Sequence, residues 1–484
     1  MNYRMIGRIG ALFLSVEAVF MLPALLIALL DGNLRVMRSF AVSIGVILAV
    51  AVPVLILTRH TKGGFYAKEG LVSVGLGWIL LSLFGGLPFF LSGEIPNFAD
   101  ALFEIVSGFT TTGASVIPDI EILSRGILYW RSFSHWLGGM GVLVFLLAVA
   151  PLGGKNEGFT MHLLRAESPG PNVGKLVPKM RRTAAILYLI YVLLTVVDFL
   201  LLLAGRMPVF DAICTAFGTA GTGGFGIRAD SMAGYSPYLQ NVTTVFMLLF
   251  GVNFSCYYLI LLGQVRSVWK DEEFRMYWCM VLLAGAMITV NLRGMYDSVW
   301  TSMRHAFFQV ASITTTTGFA TTDFDLWPTF SKSLLLLLMA TGASAGSTGG
   351  GFKCARILLI FKALKRNIQQ MMHPNSVPVI RMNGQPVDER VIANTNAYLG
   401  AYCIILTVSF LLVSLDNIST TTAFSATLSC FNNVGPGLDQ VGPATSYAGL
   451  NYLSKTVLTL DMLAGRLEIF PVLILFGKNT WKRY

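Results

Sequence analysis

The chain has 484 residues, of which 54% are hydrophobic and only 12% charged, and its mean hydropathy is +0.66. A soluble chain of this size carries roughly 25% charged residues, so the composition excludes a soluble globular protein and fits a polytopic membrane protein. The formal charge of +10 does not indicate nucleic acid, because Lys and Arg fall between apolar spans, where membrane topology accounts for them.

Apolar runs near 9–30 and 39–58 come first, joined by Asp31-Gly32-Asn33 and a short basic stretch. The first run is long enough to span and lacks a small-residue cleavage site, so it reads as a transmembrane helix and not as a signal peptide. This hairpin, 1–64, carries no glycine loop and is expected to be an added element outside the repeat. Four units then share one plan of outer helix, re-entrant segment and inner helix. Unit one (65–160) has Leu71–Leu91, Asp100–Ser115 and Ile127–Ala150. Unit two (161–265) has Thr183–Leu203, Asp211–Phe225 and Val242–Leu262. Unit three (266–375) has Met276–Val290, His305–Ala320 and Ser331–Ile360, with an intramembrane gating loop. Unit four (376–484) has Val391–Leu415, Thr422–Gly437 and Leu453–Phe476. The expected fold is an all-α polytopic membrane protein with four tandem helix–re-entrant loop–helix repeats around one central pore.

The re-entrant segments are too short to cross a hydrocarbon core of about 30 Å and return. Irregular backbone at that depth survives only where protein or a water-filled cavity surrounds it, which puts the four segments at the centre. Their loops read Thr110-Thr111-Thr112-Gly113, Ala220-Gly221-Thr222-Gly223, Thr315-Thr316-Thr317-Gly318 and Asn432-Asn433-Val434-Gly435. The lead-ins begin at Asp100, Asp211, His305 and Thr422, and run 13, 12, 13 and 13 residues to the glycine. Four matched loops on one axis make a ring, and rings of backbone carbonyls replace the water around a cation.

The expected filter is Thr111, Thr112, Gly113; Gly221, Thr222, Gly223; Thr316, Thr317, Gly318; and Asn433, Val434, Gly435. Glycine suits a backbone that turns its carbonyls inward. Asp100 and Asp211 start their helices, where a carboxylate suits the positive dipole end, so the negative ends face the axis. No acidic ring flanks the glycines, which favours a monovalent cation over calcium. For a single loop, close helix packing would be the simpler reading; four matched loops favour a pore.

Most Lys and Arg fall on the side that holds both termini, Gly153–Arg182 and Lys365–Arg390. The positive-inside rule makes that side the cytoplasm. The expected location is the cell's inner membrane, and the two Pro-bearing linkers read as loops or partner contacts.

Five glycines fall between Gly342 and Gly351. Glycine costs a helix about 1 kcal/mol relative to alanine, so the inner helix of unit three is expected to break there. The run Gly342, Ala343, Ser344, Ala345, Gly346, Ser347, Thr348, Gly349, Gly350, Gly351 reads as a movable gate, or else as a packing kink. Arg466 lies within a span and needs a partner or water. It reads as a barrier to cations below the filter, or as a salt-bridged neighbour of Glu468 or Asp461. Asp198 and Glu17 read as structural. The five histidines show no metal-ligand spacing and read as loop or interfacial residues. The six cysteines read as small core residues. No converging nucleophile, base or metal set suggests an enzyme.

Leu87-Pro88-Phe89-Phe90-Leu91-Ser92-Gly93, Asp100–Glu104 and Ser107–Ser115 resemble the Trk/Ktr superfamily of potassium transporters. So do Ala216–Thr219 with Thr222–Phe225, Gly342–Gly351, Asn432–Gly437 and Gly465-Arg466. The resemblance covers nearly the whole chain, and the extra hairpin makes it most similar to the Trk-type membrane subunit. It implies potassium uptake through a filter with a glycine in each quarter. Serine in the first quarter goes with sodium transport in plant relatives, so Gly113 points to potassium. It also implies a homodimer with one pore per subunit and a cytoplasmic ring of nucleotide-binding regulatory subunits. Val434 departs from the threonine of the other loops. Potassium is the transported ion, with no organic cofactor expected. The alternative is a potassium symporter coupled to protons or sodium, with Asp198, Asp461 and Glu468 as coupling carboxylates.

Overall fold

The computed structural model describes residues 1–59, 67–141, 180–376, 378–478 and 480–481. The expected boundaries at 64 and 160, most of the Gly153–Arg182 linker, the end of Ile127–Ala150, His60 and His162 lie outside the described residues. Regular secondary structure among the described residues is helical apart from one hairpin of two-residue strands, Arg381–Met382 with Gln385–Pro386. Among the described residues, six helices are long and apolar enough to cross a membrane. A further bent pair would make a seventh.

The N-terminal hairpin is Tyr3–Phe20 with Leu22–Leu30, then Leu34–Thr58. Pro23 sits in the first turn of Leu22–Leu30, where its missing N–H costs nothing. Asn33 starts the second arm by accepting from the Val36 amide at 3.2 Å. The hairpin packs against the outer helix Ala67–Gly85 and the inner helix Arg125–Gly139 of unit one.

Outer helices of the other units are Met180–Ala204, Glu272–Asn291 and Glu389–Ser414. Each unit continues into a short buried helix: Phe98–Phe109, Val209–Gly221, Val299–Thr314 and Thr420–Phe431 in units one to four. Side chains cap three of these at the outer end. Asn97 accepts from Ala99 at 2.9 Å, Ser298 from Trp300 at 3.2 Å and Ser419 from Thr422 at 3.1 Å. The second begins after Pro208.

The short helices fix the architecture. The first packs between the inner helices of units one and four, and the second between those of two and one. The third lies between those of three and two, and the fourth between those of four and three. That order closes on itself, so the units surround a common axis.

The inner helices depart from expectation. Only unit three was expected to break, yet units two and four split as well, and the described helix of unit one stops at Gly139. Unit one ends at Gly139, with Gly141 at φ +72°. Unit two splits into Pro237–Phe250 and Phe254–Leu261, bent by 88°. Unit three splits into Thr329–Thr341 and Cys354–Met372. Unit four splits into Tyr452–Arg466 and Phe470–Phe476, with Glu468 and Ile469 both at positive φ. Crowding accompanies two of these breaks. A Cβ on Gly138 or Gly465 would meet the main-chain oxygen of Phe109 or Phe431 at the end of a short helix. The cysteines are not all core residues as expected: Cys279 and Cys403 are exposed on helix faces, while the other four are buried, and all six are free thiols.

Candidate functional site: a closed ring of four glycine loops

Every short helix ends in the same turn. The amides of Thr111, Thr222, Thr316 and Asn433 donate three residues back, to Gly108, Thr219, Ile313 and Cys430. The next amides along, Thr112, Gly223, Thr317 and Val434, donate five residues back, to Ser107, Gly218, Ser312 and Ser429. Thr111, Thr222, Thr316 and Asn433 sit at φ +54°, +53°, +58° and +56°. Non-glycine residues enter that region at a cost, so four in a row of equivalents mark one imposed geometry.

The second positive-φ residue of each turn is Gly113, Gly224, Gly318 or Gly435, at +81°, +74°, +86° and +103°. This corrects the expected alignment of the second loop by one residue. Its equivalent set is Thr222, Gly223 and Gly224; Gly221 is the last helical residue. Asp211 to Gly224 is then 13 residues, like the other three units. The adjacent glycines in Gly221-Thr222-Gly223-Gly224 hid the shift.

The glycines close the ring. A Cβ on Gly113 would strike the Gly223 carbonyl oxygen. One on Gly224 would strike that of Thr317, one on Gly318 that of Val434, and one on Gly435 that of Thr112. Each quarter therefore leans on the next, from unit one to two, three, four and back to one. Thr111, Thr112, Thr222, Thr316, Thr317, Asn433 and Val434 are wholly buried. Yet among the described residues the carbonyls of Thr111–Gly113, Thr222–Gly224, Thr316–Gly318, Asn433 and Val434 accept no hydrogen bond from the chain. Buried main-chain oxygens are normally paired. Gly435 differs, since its oxygen accepts from the Tyr447 hydroxyl at 2.7 Å.

Side chains hold the ring from behind. Thr110 and Thr112 hydroxyls lie 2.8 Å apart, and Thr315 and Thr317 2.7 Å apart. Asn433 donates to the Thr112 hydroxyl at 3.0 Å and to the Met462 oxygen at 2.9 Å. Glu104 was not expected to matter. It pairs with Arg131 at 2.5 Å and accepts from Val116 N–H and the Ser115 hydroxyl, both at 3.0 Å. Arg131 also donates to the Gly226 oxygen at 2.9 Å and lies over the Phe225 ring. Charge inside an apolar helix was the available signal for both. His135, expected at a loop or interface, is wholly buried between the first two loops.

Below the loops lies Gly342–Gly351. It is anchored at several points. Ser344 N–H donates to the Gly251 oxygen at 3.2 Å, Ala345 N–H to Glu273 at 2.5 Å, and Gly350 N–H to the Thr316 hydroxyl at 2.6 Å. The Gly346 oxygen accepts from Phe254 at 3.0 Å. Ala343 and Gly349 are buried, while Gly346 is exposed and Ser347 partly so. Arg466 donates to the Thr348 oxygen at 2.9 Å and to the Gly139 oxygen at 2.8 Å, and also to Gly138. It thus joins the glycine run of unit three to the inner-helix end of unit one. The acids expected beside it are engaged elsewhere. Glu468 pairs with Arg356, and Asp461 accepts from Ser409 at 2.6 Å. Asp198 and Glu17 are buried, and their carboxylate oxygens have no hydrogen-bond partner among the described residues.

The TrkH family model, described as "Cation transport protein", matches residues 36–482. The chain belongs to the TrkH family of cation transport proteins. The Trk system potassium uptake protein TrkH of Salmonella typhimurium is 38% identical, with both chains covered in full. The TrkG protein of Escherichia coli, also named for Trk-system potassium uptake, is 31% identical over 99% of each chain. The crystal structure of the potassium transporter TrkH from Vibrio parahaemolyticus superimposes with a TM-score of 0.89 at 34% identity, again covering both chains in full. A TrkH-family chain is an all-α polytopic membrane protein, and the helical bundle around the glycine ring accords with that membership.

Proposed function

We propose that this chain takes up potassium across the cell's inner membrane through a gated pore, filtered by the four glycine loops. The observation that carries the reading is the closed ring of buried main-chain oxygens without partners in the chain. Oxygens left unpaired in that way suit a desolvated monovalent cation. Potassium is favoured because the relatives are named for its uptake and because glycine occupies the first quarter. The filter residues are Thr111–Gly113, Thr222–Gly224, Thr316–Gly318 and Asn433–Gly435. Gly342–Gly351 with Arg466 forms the gate beneath them. The most basic face is cytoplasmic, with both termini, and receives a ring of nucleotide-binding regulatory subunits; the transporter itself is a homodimer.

The test is current from the purified protein in a planar bilayer, with potassium on one side and sodium on the other. The expected result is discrete openings that reverse toward the potassium potential, and a Gly113→Ser variant that shifts reversal toward sodium. Unchanged ion preference in that variant would remove the filter from this reading.

The second reading, potassium symport coupled to protons or sodium, draws on Asp198, buried and without a hydrogen-bond partner among the described residues. It predicts potassium uptake that tracks an imposed proton gradient without discrete openings.

A further inference from the structure

His135 belongs to the inner helix of unit one, yet it touches two filter loops. Its Nδ1 is 2.8 Å from the Gly108 oxygen, in the turn that ends the first short helix. Its Nε2 is 3.3 Å from the Phe225 amide nitrogen, the residue after Gly224. The partners fix the tautomer. A carbonyl can only accept, so Nδ1 carries the hydrogen; a backbone N–H can only donate, so Nε2 is bare. The ring is therefore neutral and joined at both nitrogens.

Packing explains why the second loop is richer in glycine than the others. A Cβ on Gly223 would fall among the ring atoms of His135, and one on Gly221 would meet the His135 main chain. The Gly223 position is held by Thr112, Thr317 and Val434 in the other loops. In those units a side chain from the loop itself fills the space. In unit two the space is filled by an imidazole from a different unit. One turn earlier on the same helix, Arg131 holds the Gly226 oxygen at 2.9 Å. Two residues spaced i, i+4 thus grip the strand after Gly224 on both sides of Phe225.

We propose that His135 is a positioning residue for ion discrimination: its neutral ring replaces the missing side chain at Gly223 and sets the spacing between the first and second filter quarters. This rests on the reading of the ring as the filter. A carbonyl ring discriminates between cations through the placement and number of its oxygens. Loss of the two hydrogen bonds therefore alters which ion passes, and not only how much.

The test compares potassium and sodium uptake into proteoliposomes for the unsubstituted chain, His135→Ala, His135→Gln, Gly113→Ser and the double variant His135→Ala/Gly223→Thr. The expected result is a potassium-over-sodium ratio about tenfold lower in His135→Ala. His135→Gln, whose single terminal amide can keep only one of the two contacts, keeps part of the ratio. The double variant recovers part of it, because a loop threonine then fills the space as in units one and three while both hydrogen bonds stay absent. If His135→Ala does not fold, His135→Leu replaces it, filling space without either hydrogen bond. A ratio within twofold of the unsubstituted chain, while Gly113→Ser lowers it, would overturn the role of His135 and leave the filter standing. Equal loss in the Gln variant without recovery in the double variant would also overturn it, because neither the hydrogen bonds nor the filled space would then set the ratio. No change in Gly113→Ser would overturn the filter reading itself, and the inference with it.

Discussion

Glu104 and Arg131 form a charged pair in which each side chain is at most 2% exposed. Removing one member of such a pair leaves the other charge buried and uncompensated, at a cost of about 3–5 kcal/mol. Glu104→Gln is therefore expected to lower the thermal unfolding temperature in detergent sharply. A change under about 1 kcal/mol would mean that Arg131 finds another anion or water. The pair is confined to unit one. Nine residues before the ring glycines, the other units have Thr215, Gln309 and Ala426. Gln309 is wholly buried, and both its amide atoms lack a partner among the described residues. Near-identical loop backbones thus carry different side chains behind them. The sequence displayed the loops because backbone geometry restricts residue type there. It concealed their supports because a carboxylate, an amide or a methyl can each back the same turn.

At the scale of elements, glycine density identified the break in unit three and missed those in units two and four and the helix end at Gly139 in unit one. The run from Gly342 to Gly351 is too rich in glycine to remain helical. At Gly138 and Gly465 a neighbouring short helix leaves no room, and at Gly251 the Tyr277 hydroxyl of an outer helix does the same; no local composition records that. Gly251 and Gly465 are single glycines and Gly138 is one of a pair with Gly139, all in apolar stretches, which sequence reading takes as ordinary packing residues. Arg466 stands at the break of unit four and spans to the glycine run of unit three and the helix end of unit one. Its hydrogen bonds to Thr348, Gly138 and Gly139 hold the run beneath the ring. Arg466→Ala is accordingly expected to raise basal potassium flux in proteoliposomes several-fold, each charged hydrogen bond contributing about 1.5–3 kcal/mol. Flux at or below that of the unsubstituted chain would assign Arg466 a purely structural part.

For the whole molecule, the cyclic arrangement makes the quarters interdependent. The clearance of Gly435 depends on Thr112 and Gly113, and that of Gly113 on Gly223. The atoms nearest a Cβ on Gly113 come from the second quarter, and those nearest one on Gly318 from the fourth. Alanine substitutions at Gly113 and Gly435 should therefore combine non-additively, while those at Gly113 and Gly318 should add within about 0.5 kcal/mol. Thermal unfolding of the single and double variants measures both. Additivity in the adjacent pair would show that the quarters do not bear on one another.

By itself the sequence determined that this chain lies in a membrane, that it is helical, and that four glycine loops recur at matched spacing. Those properties are local: hydropathy, helix length and the need for positive φ act on a few consecutive residues. Only the tertiary structure decided that Gly224, not Gly223, completes the second quarter, and that the inner helices of units two and four break as that of unit three does. The same holds for the placement of His135 against the first two loops. Each depends on what a distant segment places within van der Waals reach, and an imidazole 88 residues away leaves no trace in the spacing of Gly221, Thr222, Gly223 and Gly224.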